Sequence, residues 1–442
     1  MKLFKRLLLV LLFVLAVIIY TQYPKLNFIS GYASKNMAST IFLTDRSAES
    51  VTKYDNDVPL IKLADVKSGD ASAEAAVFGL MDRKSVCQEG LGCVLVNEDY
   101  DLNTSIPKPQ RDQSKNDLPF PYGNEVIKDS IFVNIDYEAL NKAMEAAFTN
   151  PDTQKTRTII VAYKNHIIAE KYLDDFNKDT PILGWSMTKS ILATLYGILE
   201  YQGKIDLNKP TPISDWQNDE RKEITLNHLL RMQSGLAWEE DYASISDVTK
   251  MLFLDADMTT GQAKKEAIAP PTEVWNYSSG TSNLLSGILR KQFSTHQDYI
   301  DFPYKVLIDK IGMHSMLIET DMMGNFVGSS YAWANTRDWA KFGLLYLNNG
   351  NWNGEQLFDS RWVDYVSTPT LHSNGTYGGH FWLNANGKFP DVPRDMYSAN
   401  GYQGQRVFII PSKDLVVVRT GLAEEPDFNI NNFLRGIIGA IK

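Results

Sequence analysis

Two segments of the chain group β-branched and other hydrophobic residues into the short runs that are typical of strands. Residues 157–172 carry two such runs around Lys164 and Asn165, and residues 406–420 carry two more around a turn at 411–414. Short apolar runs separated by turn residues predict β-hairpins. Because the two hairpins lie far apart in sequence, a sheet that contains both takes its strands from both ends of one domain.

Between these hairpins, the spacing of hydrophobic residues predicts helices. The predicted helical segments are 186–202, 225–233, 279–291 and 336–348, and a further helical stretch covers 427–441. The predicted fold class is therefore α+β, with an antiparallel sheet built from both ends of the domain and flanked by helices.

The first twenty residues have the pattern of a targeting segment. Lys2, Lys5 and Arg6 precede an unbroken apolar run over residues 7–20. A basic start followed by a short apolar stretch is typical of a secretory signal, although 14 residues are fewer than the roughly 20 that span a bilayer. No strong cleavage site follows. We expect an exported, periplasmic or outer-face protein of the cell envelope, anchored to the inner membrane by residues 7–20.

The remaining chain divides at a polar, proline-rich stretch over residues 101–125. Such composition favours a surface loop or a joint between domains. The predicted organisation is a signal or anchor segment at 1–22, an N-terminal extension and linker at 23–130, and one compact domain at 131–442. All nine tryptophans lie inside that last domain.

Composition and charge exclude several functional classes. The 442 residues carry a formal net charge of −9, and without the three cations of residues 1–22 the rest carries −12. A nucleic-acid partner is not expected, because binding to phosphates requires a concentrated basic surface. The six histidines include no pair within four residues, so the motif of a zinc protease helix is absent and no metal or other cofactor is expected. Cys87 and Cys93 either form a disulfide or remain two thiols.

A serine and a lysine stand three residues apart at the start of the helix predicted at 186–202. Residues on one face of the first helical turn are neighbours, so Ser186 and Lys189 would be close to each other. There the helix N-terminus favours a developing negative charge, and Lys189 can take the serine proton if its surroundings favour the neutral amine. The spacing alone is weak, because Ser50 and Lys53 have it too.

Two further elements follow in order along the chain. Tyr277 stands just before a helix start rich in serine and glycine, 91 residues after Ser186. Gln405 follows a glycine-bearing stretch, residues 400–404, immediately before the last strand pair. A substrate can approach such a backbone closely, so the N–H groups of Gln405 and Ser186 would form an oxyanion hole.

With these three elements, the chain resembles the serine β-lactamase-related family, in particular class C-like esterases and 6-aminohexanoate-dimer hydrolases. Two more stretches, 224–235 and 330–347, resemble helices of that family, and the resemblance covers roughly residues 155–440. It implies a β-lactamase/transpeptidase-like fold. It also implies that Ser186 is the nucleophile, Lys189 its proton acceptor and Tyr277 a shared acid and base whose phenolate Lys189 favours.

One position departs from the penicillin-binding members of this family. Where they have Lys-Thr-Gly, this chain has Tyr402, Gln403 and Gly404, which are the candidate substrate-binding residues. The missing ammonium and hydroxyl normally pair with a substrate carboxylate, so we expect weak or absent penicillinase activity. Large aromatic side chains either wall a pocket for an apolar acyl group or serve packing. These residues are Trp185, Trp238, Tyr242, Trp333 and Trp382.

The sequence therefore predicts a serine hydrolase that cleaves a small-molecule ester or amide through an acyl-serine intermediate. One alternative is a D,D-peptidase or β-lactamase that acts in the cell envelope. The other is a catalytically silent envelope-binding protein on the same scaffold. The oligomeric state and the natural substrate stay open.

Overall fold

The computed structural model describes residues 2–98, 100–101, 105–114, 118–123 and 131–442. The chain forms two compact units, and the predicted loop at 101–125 lies partly outside the described residues. The first unit contains residues 1–88, 92–104 and 239–256. The second contains residues 89–91, 105–238 and 257–442.

The N-terminal unit is built from one long helix and a four-stranded antiparallel meander. Its helices are α1 (Lys2–Thr44), α2 (Ala48–Tyr54) and α7 (Asp247–Phe253), and its strands are β1 (Ala64–Ser68), β2 (Ser72–Val77), β3 (Leu80–Gln88) and β4 (Gly92–Val96). Ser34 of α1 donates to the Ala73 carbonyl, 2.9 Å away, and so joins the helix to the sheet. Arg83 Nη2 donates to the Phe253 carbonyl at 2.7 Å, which attaches the distant segment 239–256 to the same unit.

Cys87 and Cys93 form a disulfide. They are direct partners on the neighbouring strands β3 and β4, so the strand pairing itself brings the two sulfurs together. Of the two arrangements that the sequence left open, the structure has the bonded one.

Among the described residues, no helix is both long enough and apolar enough to cross a membrane. Residues 7–20, the predicted anchor segment, are part of α1 (Lys2–Thr44).

The second unit is organised around a six-stranded antiparallel sheet. Its strands are β5 (Thr156–Tyr163), β6 (His166–Tyr172), β12 (Trp382–Leu383), β13 (Tyr397–Gly401), β14 (Gln405–Ile410) and β15 (Leu415–Gly421). Their spatial order in the sheet is β12, β13, β14, β15, β5, β6. Both predicted hairpins are confirmed, and they meet where β15 pairs with β5.

Both faces of this sheet are buried. Successive side chains of a strand point to opposite faces, so Val416 and Val418 enter the core that contains most helices, whereas Leu415 and Val417 face the core formed with α3 (Tyr137–Ala146) and α12 (Ile430–Gly439). The predicted α+β class, with helices on an antiparallel sheet, is confirmed.

The remaining elements of this unit are short strands and helices around the larger core. The helices are α4 (Pro151–Gln154), α5 (Met187–Tyr201), α6 (Leu226–Leu230), α8 (Ser279–Arg290), α9 (His296–Pro303), α10 (Thr336–Leu347) and α11 (Ser360–Ser367). The strands are β7 (Ile182–Leu183), β8 (Leu317–Ile318), β9 (Ala332–Ala334), β10 (Asn351–Trp352) and β11 (Glu355–Gln356). The predicted helix at 225–233 is thus reduced to five residues.

Candidate active site

The turn that leads into α5 is tightly constrained. A side chain at Gly184 would place its Cβ 2.4 Å from the Trp339 ring, so only glycine fits there. Trp185 has a φ of +48°, in the left-handed region that costs energy for a bulky residue. Backbone strain of this kind persists only where the surroundings hold it. The turn formed by Gly184 and Trp185 places Ser186 at the N-terminus of α5.

The hydroxyl of Ser186 is not used to cap its helix. Serine in this position usually accepts a hydrogen bond from a backbone N–H of the first turn, but Ser186 makes no such bond. Instead, Lys189 Nζ donates to Ser186 Oγ over 3.1 Å. Ser186 and Lys189 are therefore in contact, as their spacing on the first helical turn predicts.

Lys189 is buried, with only 1% of its surface exposed. A buried ammonium group is costly unless it is hydrogen-bonded. Lys189 Nζ also donates to Ser279 Oγ and to the Ser329 carbonyl, both 2.9 Å away. The amine is thus held in one place, pointing at the Ser186 hydroxyl.

Two adjacent serines at the start of α8 make different contacts: Ser278 caps the helix and Ser279 binds Lys189. Ser278 caps the helix, because its side chain accepts from the Thr281 N–H at 2.9 Å. Ser279 is therefore available for Lys189. From the same helix, Asn283 Oδ1 accepts from the Ser329 N–H at 3.0 Å and so holds the backbone of the residue whose carbonyl binds Lys189.

Tyr277 lies beside this lysine in an aromatic cluster. Lys189 Nζ is 5.0 Å from the centroid of the Tyr277 ring. The Trp382 and Tyr377 rings are 5.3 Å and 5.7 Å from the Tyr277 ring. Packing on two sides fixes the ring. Lys189 therefore has the Ser186 hydroxyl and the Tyr277 ring as neighbours.

The strand pair β13 and β14 approaches the same turn. A Cβ at Gly401 would lie 1.9 Å from the Gly184 carbonyl oxygen, so the two backbones are in contact. Gln405 begins β14, four residues later. Its side chain is engaged elsewhere: it donates to the Gly421 carbonyl at 2.6 Å and accepts from the Gly421 N–H at 3.1 Å. The backbone of Gln405 is what this residue can offer to a substrate.

Comparison with known proteins agrees with this geometry. Residues 152–435, more than half of the chain, match the sequence model of the Beta-lactamase family. The chain belongs to the Beta-lactamase family.

The relatives of this Beta-lactamase family protein include hydrolases. It is 22% identical over 297 residues to 6-aminohexanoate-dimer hydrolase from Paenarthrobacter ureafaciens, covering 62% of this chain and 74% of that one. Its fold is similar to that of a family VIII carboxylesterase (TM-score 0.53, 16% identity, 69% and 96% of the two chains). A penicillin-binding protein from Bacillus halodurans is also similar (TM-score 0.52, 17% identity, 68% and 99%). The predicted family, its β-lactamase-like fold and its class as a hydrolase are confirmed.

In this Beta-lactamase family protein, Tyr402, Gln403 and Gly404 form the turn between β13 and β14. Gln403 and Gly404 have φ values of +61° and +85°. The Tyr402 ring meets the Trp185 ring edge-on at 5.8 Å, which places Tyr402 beside the turn that carries Ser186. Burial, with a contribution from the charge of Glu424, raises the pKa of Tyr402. Tyr402 therefore stays a neutral phenol. It does not supply the positive charge that the lysine of Lys-Thr-Gly supplies in penicillin-binding members of the family.

The other aromatic candidates have different surroundings. Trp382 contacts Tyr277, as described above, and Trp238 packs against Gly280 at the start of α8. Trp333 is buried and its Nε1 donates to Glu319 Oε2 at 2.9 Å, so it serves packing rather than a pocket wall. Tyr242 belongs to the N-terminal unit, where its hydroxyl donates to Glu240 at 2.8 Å.

From the sequence, His380 was expected near the edge of the site but had no assignable role; in the structure it is buried close to Lys189. His380 Nδ1 donates to the Leu230 carbonyl at 2.6 Å, its Nε2 accepts from the Ser282 hydroxyl at 3.1 Å, and its own carbonyl accepts from Ser190 at 2.7 Å. Burial, together with the nearby charge of Lys189, lowers the pKa of His380 to about 3. The ring is therefore neutral at ordinary pH and joins α6 to α8, while the backbone carbonyl of His380 binds α5.

Ser279 and Ser329 were also not identified as contacts of Lys189. Ser279 could have been found, because it stands two residues after Tyr277. Ser329 accepts from Lys189 through its backbone carbonyl and not through its side chain, so it gave no signal in the sequence. Among the described residues, no group of three or more histidine, cysteine, aspartate or glutamate side chains could hold a metal ion.

Proposed function

We propose that this protein is a serine hydrolase that cleaves an ester or amide bond through an acyl-Ser186 intermediate. The observation that carries the proposal is the hydrogen bond from Lys189 Nζ to Ser186 Oγ, made by a buried lysine that two more oxygens hold in place. A serine hydroxyl is a weak nucleophile unless an adjacent base takes its proton.

In the first step, Ser186 Oγ attacks the carbonyl carbon of the substrate. Its proton passes to the pair formed by Lys189 and Tyr277, in which Lys189 Nζ lies 5.0 Å from the centroid of the Tyr277 ring. The carbonyl π-electrons move to oxygen, and the N–H groups of Ser186 and Gln405 would stabilise this oxyanion.

In the second step, the tetrahedral intermediate collapses. The bond between the carbonyl carbon and the leaving alcohol or amine breaks, and Tyr277 returns the proton to that group. An ester now links the acyl group to Ser186. Water then takes the part of the nucleophile. Tyr277 accepts a proton from the water, whose oxygen attacks the acyl carbon. The bond to Ser186 Oγ breaks, Tyr277 returns the proton to Oγ, and the acid is released.

The substrate class rests on two facts. A 6-aminohexanoate-dimer hydrolase is a relative in sequence and a family VIII carboxylesterase has a similar fold, which supports small-molecule esters or amides as substrates. Tyr402, a neutral phenol, stands where penicillin-binding members of the family carry a lysine. We therefore propose that penicillin is a poor substrate.

Labelling with a fluorophosphonate, followed by intact-mass measurement, tests the proposal. The wild-type protein should gain one adduct on Ser186 and hydrolyse p-nitrophenyl esters, whereas Ser186→Ala should do neither. Ser50→Ala is the matched control, because Ser50 has the same spacing to a lysine but lies in the other unit. A folded wild-type protein without an adduct would overturn the proposal in favour of a silent binding protein. Stoichiometric acylation by penicillin would replace it with a penicillin-recognising enzyme.

We also propose that the protein functions in an oxidising compartment outside the cytoplasm. The Cys87–Cys93 disulfide supports this, because disulfides persist in exported proteins and are reduced in the cytosol. Cell fractionation followed by alkylation of free thiols tests it. If the protein is exported, it should be found in the envelope fraction with Cys87 and Cys93 resistant to alkylation. Recovery in the cytosolic fraction with both thiols alkylated would contradict export.

A further inference from the structure

A buried arginine, Arg419, is hydrogen-bonded to the backbone of the turn between β13 and β14. Arg419, on β15, has 1% of its surface exposed. Its Nη1 donates to the carbonyl oxygens of Gly404 and Ala423, both 2.9 Å away. Its Nη2 donates to the Gln154 carbonyl at 2.6 Å and to Thr156 Oγ1 at 3.1 Å. Four oxygens thus fix one guanidinium group.

The bond to Gly404 determines the direction of the next N–H group. The carbonyl of Gly404 and the N–H of Gln405 belong to the same peptide unit. In a planar trans peptide these two groups point in opposite directions. Because the Gly404 carbonyl points at Arg419, the Gln405 N–H must point away from Arg419.

A second arginine fixes the two residues that flank this turn. Arg406 Nη1 donates to the carbonyl oxygens of Gly401 and Gln405, at 2.6 Å and 2.9 Å. Gly401 is the residue whose backbone touches Gly184, two positions before Ser186. The peptide on each side of the candidate oxyanion donor is therefore held by an arginine, and the whole turn is tied to the nucleophile's turn.

We propose that Arg419 is the positioning residue of the oxyanion hole: by holding the Gly404 carbonyl it aims the Gln405 N–H at the oxyanion that forms on the substrate. The proposal rests on the proposed serine-hydrolase function. Arg419 does not touch the substrate; it acts through one peptide unit.

The charge of Arg419 strengthens this effect. A hydrogen bond from a cation to a peptide oxygen is stronger than a neutral one, and it polarises the same peptide so that its N–H becomes a better donor. Burial, together with the nearby charges of Arg406 and Arg157, lowers the pKa of Arg419 to about 9, while the charge of Glu424 opposes the shift. Arg419 therefore remains a cation at neutral pH.

Lysine cannot replace this arrangement. An ammonium group is a point donor, whereas the planar guanidinium reaches oxygens on two sides at once. In Arg419→Lys the charge remains, but the Gly404, Ala423 and Gln154 carbonyls cannot all be held. The matched control is Arg221→Lys, because Arg221 Nη1 also donates to two backbone carbonyls, those of Ala263 and Lys265, both at 3.0 Å and away from the turn.

The experiment compares the two variants with the wild type on a p-nitrophenyl ester and with a boronic acid, whose adduct with serine is tetrahedral and anionic. Arg419→Lys should lower kcat by about 10- to 100-fold, less than the 10²–10³-fold expected for deleting an oxyanion donor. The boronic acid inhibition constant should rise by a similar factor, with KM changed by less than about two-fold. Arg221→Lys should change none of these beyond about two-fold.

Equal boronic acid affinity in the two variants would overturn the inference, and so would a parallel change of kcat and KM. Titration with a fluorophosphonate counts reactive Ser186, so kcat per site is measured even if part of the Arg419→Lys protein is unfolded. Arg419→Gln, which is shorter and uncharged, should show at least as large a loss in boronic acid affinity. If wild-type Ser186 is not labelled, the proposed function fails; if it is labelled and Arg419→Lys behaves as the control, only the positioning role fails.

Discussion

Gly401 lies where the strand before the candidate oxyanion donor touches the turn before Ser186, and Gly401→Ala tests that contact. Gly401 has a φ of −118°, which any residue adopts, so the substitution adds no backbone strain. The added methyl would lie 1.9 Å from the Gly184 carbonyl oxygen and 3.1 Å from the Gln405 Cβ. Its effect is therefore purely steric and directed at two backbone segments.

The size of the effect follows from that distance. Real Cβ atoms essentially never approach another heavy atom closer than 3.0 Å, so β13 and the Gly184 turn must separate by about 1 Å. A misplacement of about 1 Å in a catalytic arrangement can cost on the order of 10²-fold in rate. Inserting one methyl group into a packed region costs about 1–3 kcal/mol of stability, which a folded domain of this size tolerates. We expect kcat/KM to fall about 10²-fold in a protein that remains folded.

The assay combines steady-state hydrolysis of a p-nitrophenyl ester with thermal unfolding. Gly439→Ala is the matched control, because a Cβ at Gly439, near the end of α12, meets no atom of the described residues within 4 Å. The control should retain its activity within about two-fold. If Gly401→Ala hydrolyses the ester as fast as Gly439→Ala, the contact between the two turns does not position the reacting groups and the reasoning is refuted.

Two further predictions concern buried titratable side chains. Lys189→Met should lower the rate of fluorophosphonate labelling by at least about 10³-fold, because the pair that takes the Ser186 proton loses its lysine, whereas Lys341→Met, at another buried lysine, should leave the rate unchanged. His380→Gln should flatten the pH dependence of unfolding. The pKa of His380 falls from 6.5 to about 3 on folding, so its contribution is complete above pH 6.5 and is lost toward pH 3, with a slope of up to about 1.4 kcal/mol per pH unit. Equal slopes in denaturant titrations of wild type and variant between pH 4 and 6.5 would contradict this.

Much of the fold and part of the candidate site could be predicted because they depend on neighbours in sequence. Strand and helix periodicity gave both hairpins and the position of α5, and the pairing of β15 with β5 joined the ends as expected. The three-residue spacing of Ser186 and Lys189 places both on one helical turn, whatever surrounds them. Helix ends were less certain, as α6 shows, because capping and packing decide where a helix ends.

Other features follow only from the packing of distant segments. Lys189 binds the carbonyl of Ser329, 140 positions away, and a backbone carbonyl has no sequence signature. Segment 239–256 belongs with the N-terminal unit, although it lies between residues of the other unit.

The amino-acid sequence by itself determined the sheet and the serine–lysine pair, because local periodicity and short spacings encode them. Its motifs, in their order along the chain, carried the resemblance to the family. The tertiary structure alone decided that Arg419 holds Gly404, that His380 stays neutral and that Gly401 touches Gly184. Such contacts exist only when the whole core has assembled, since each depends on burial and on backbone directions that elements far apart in sequence impose on one another.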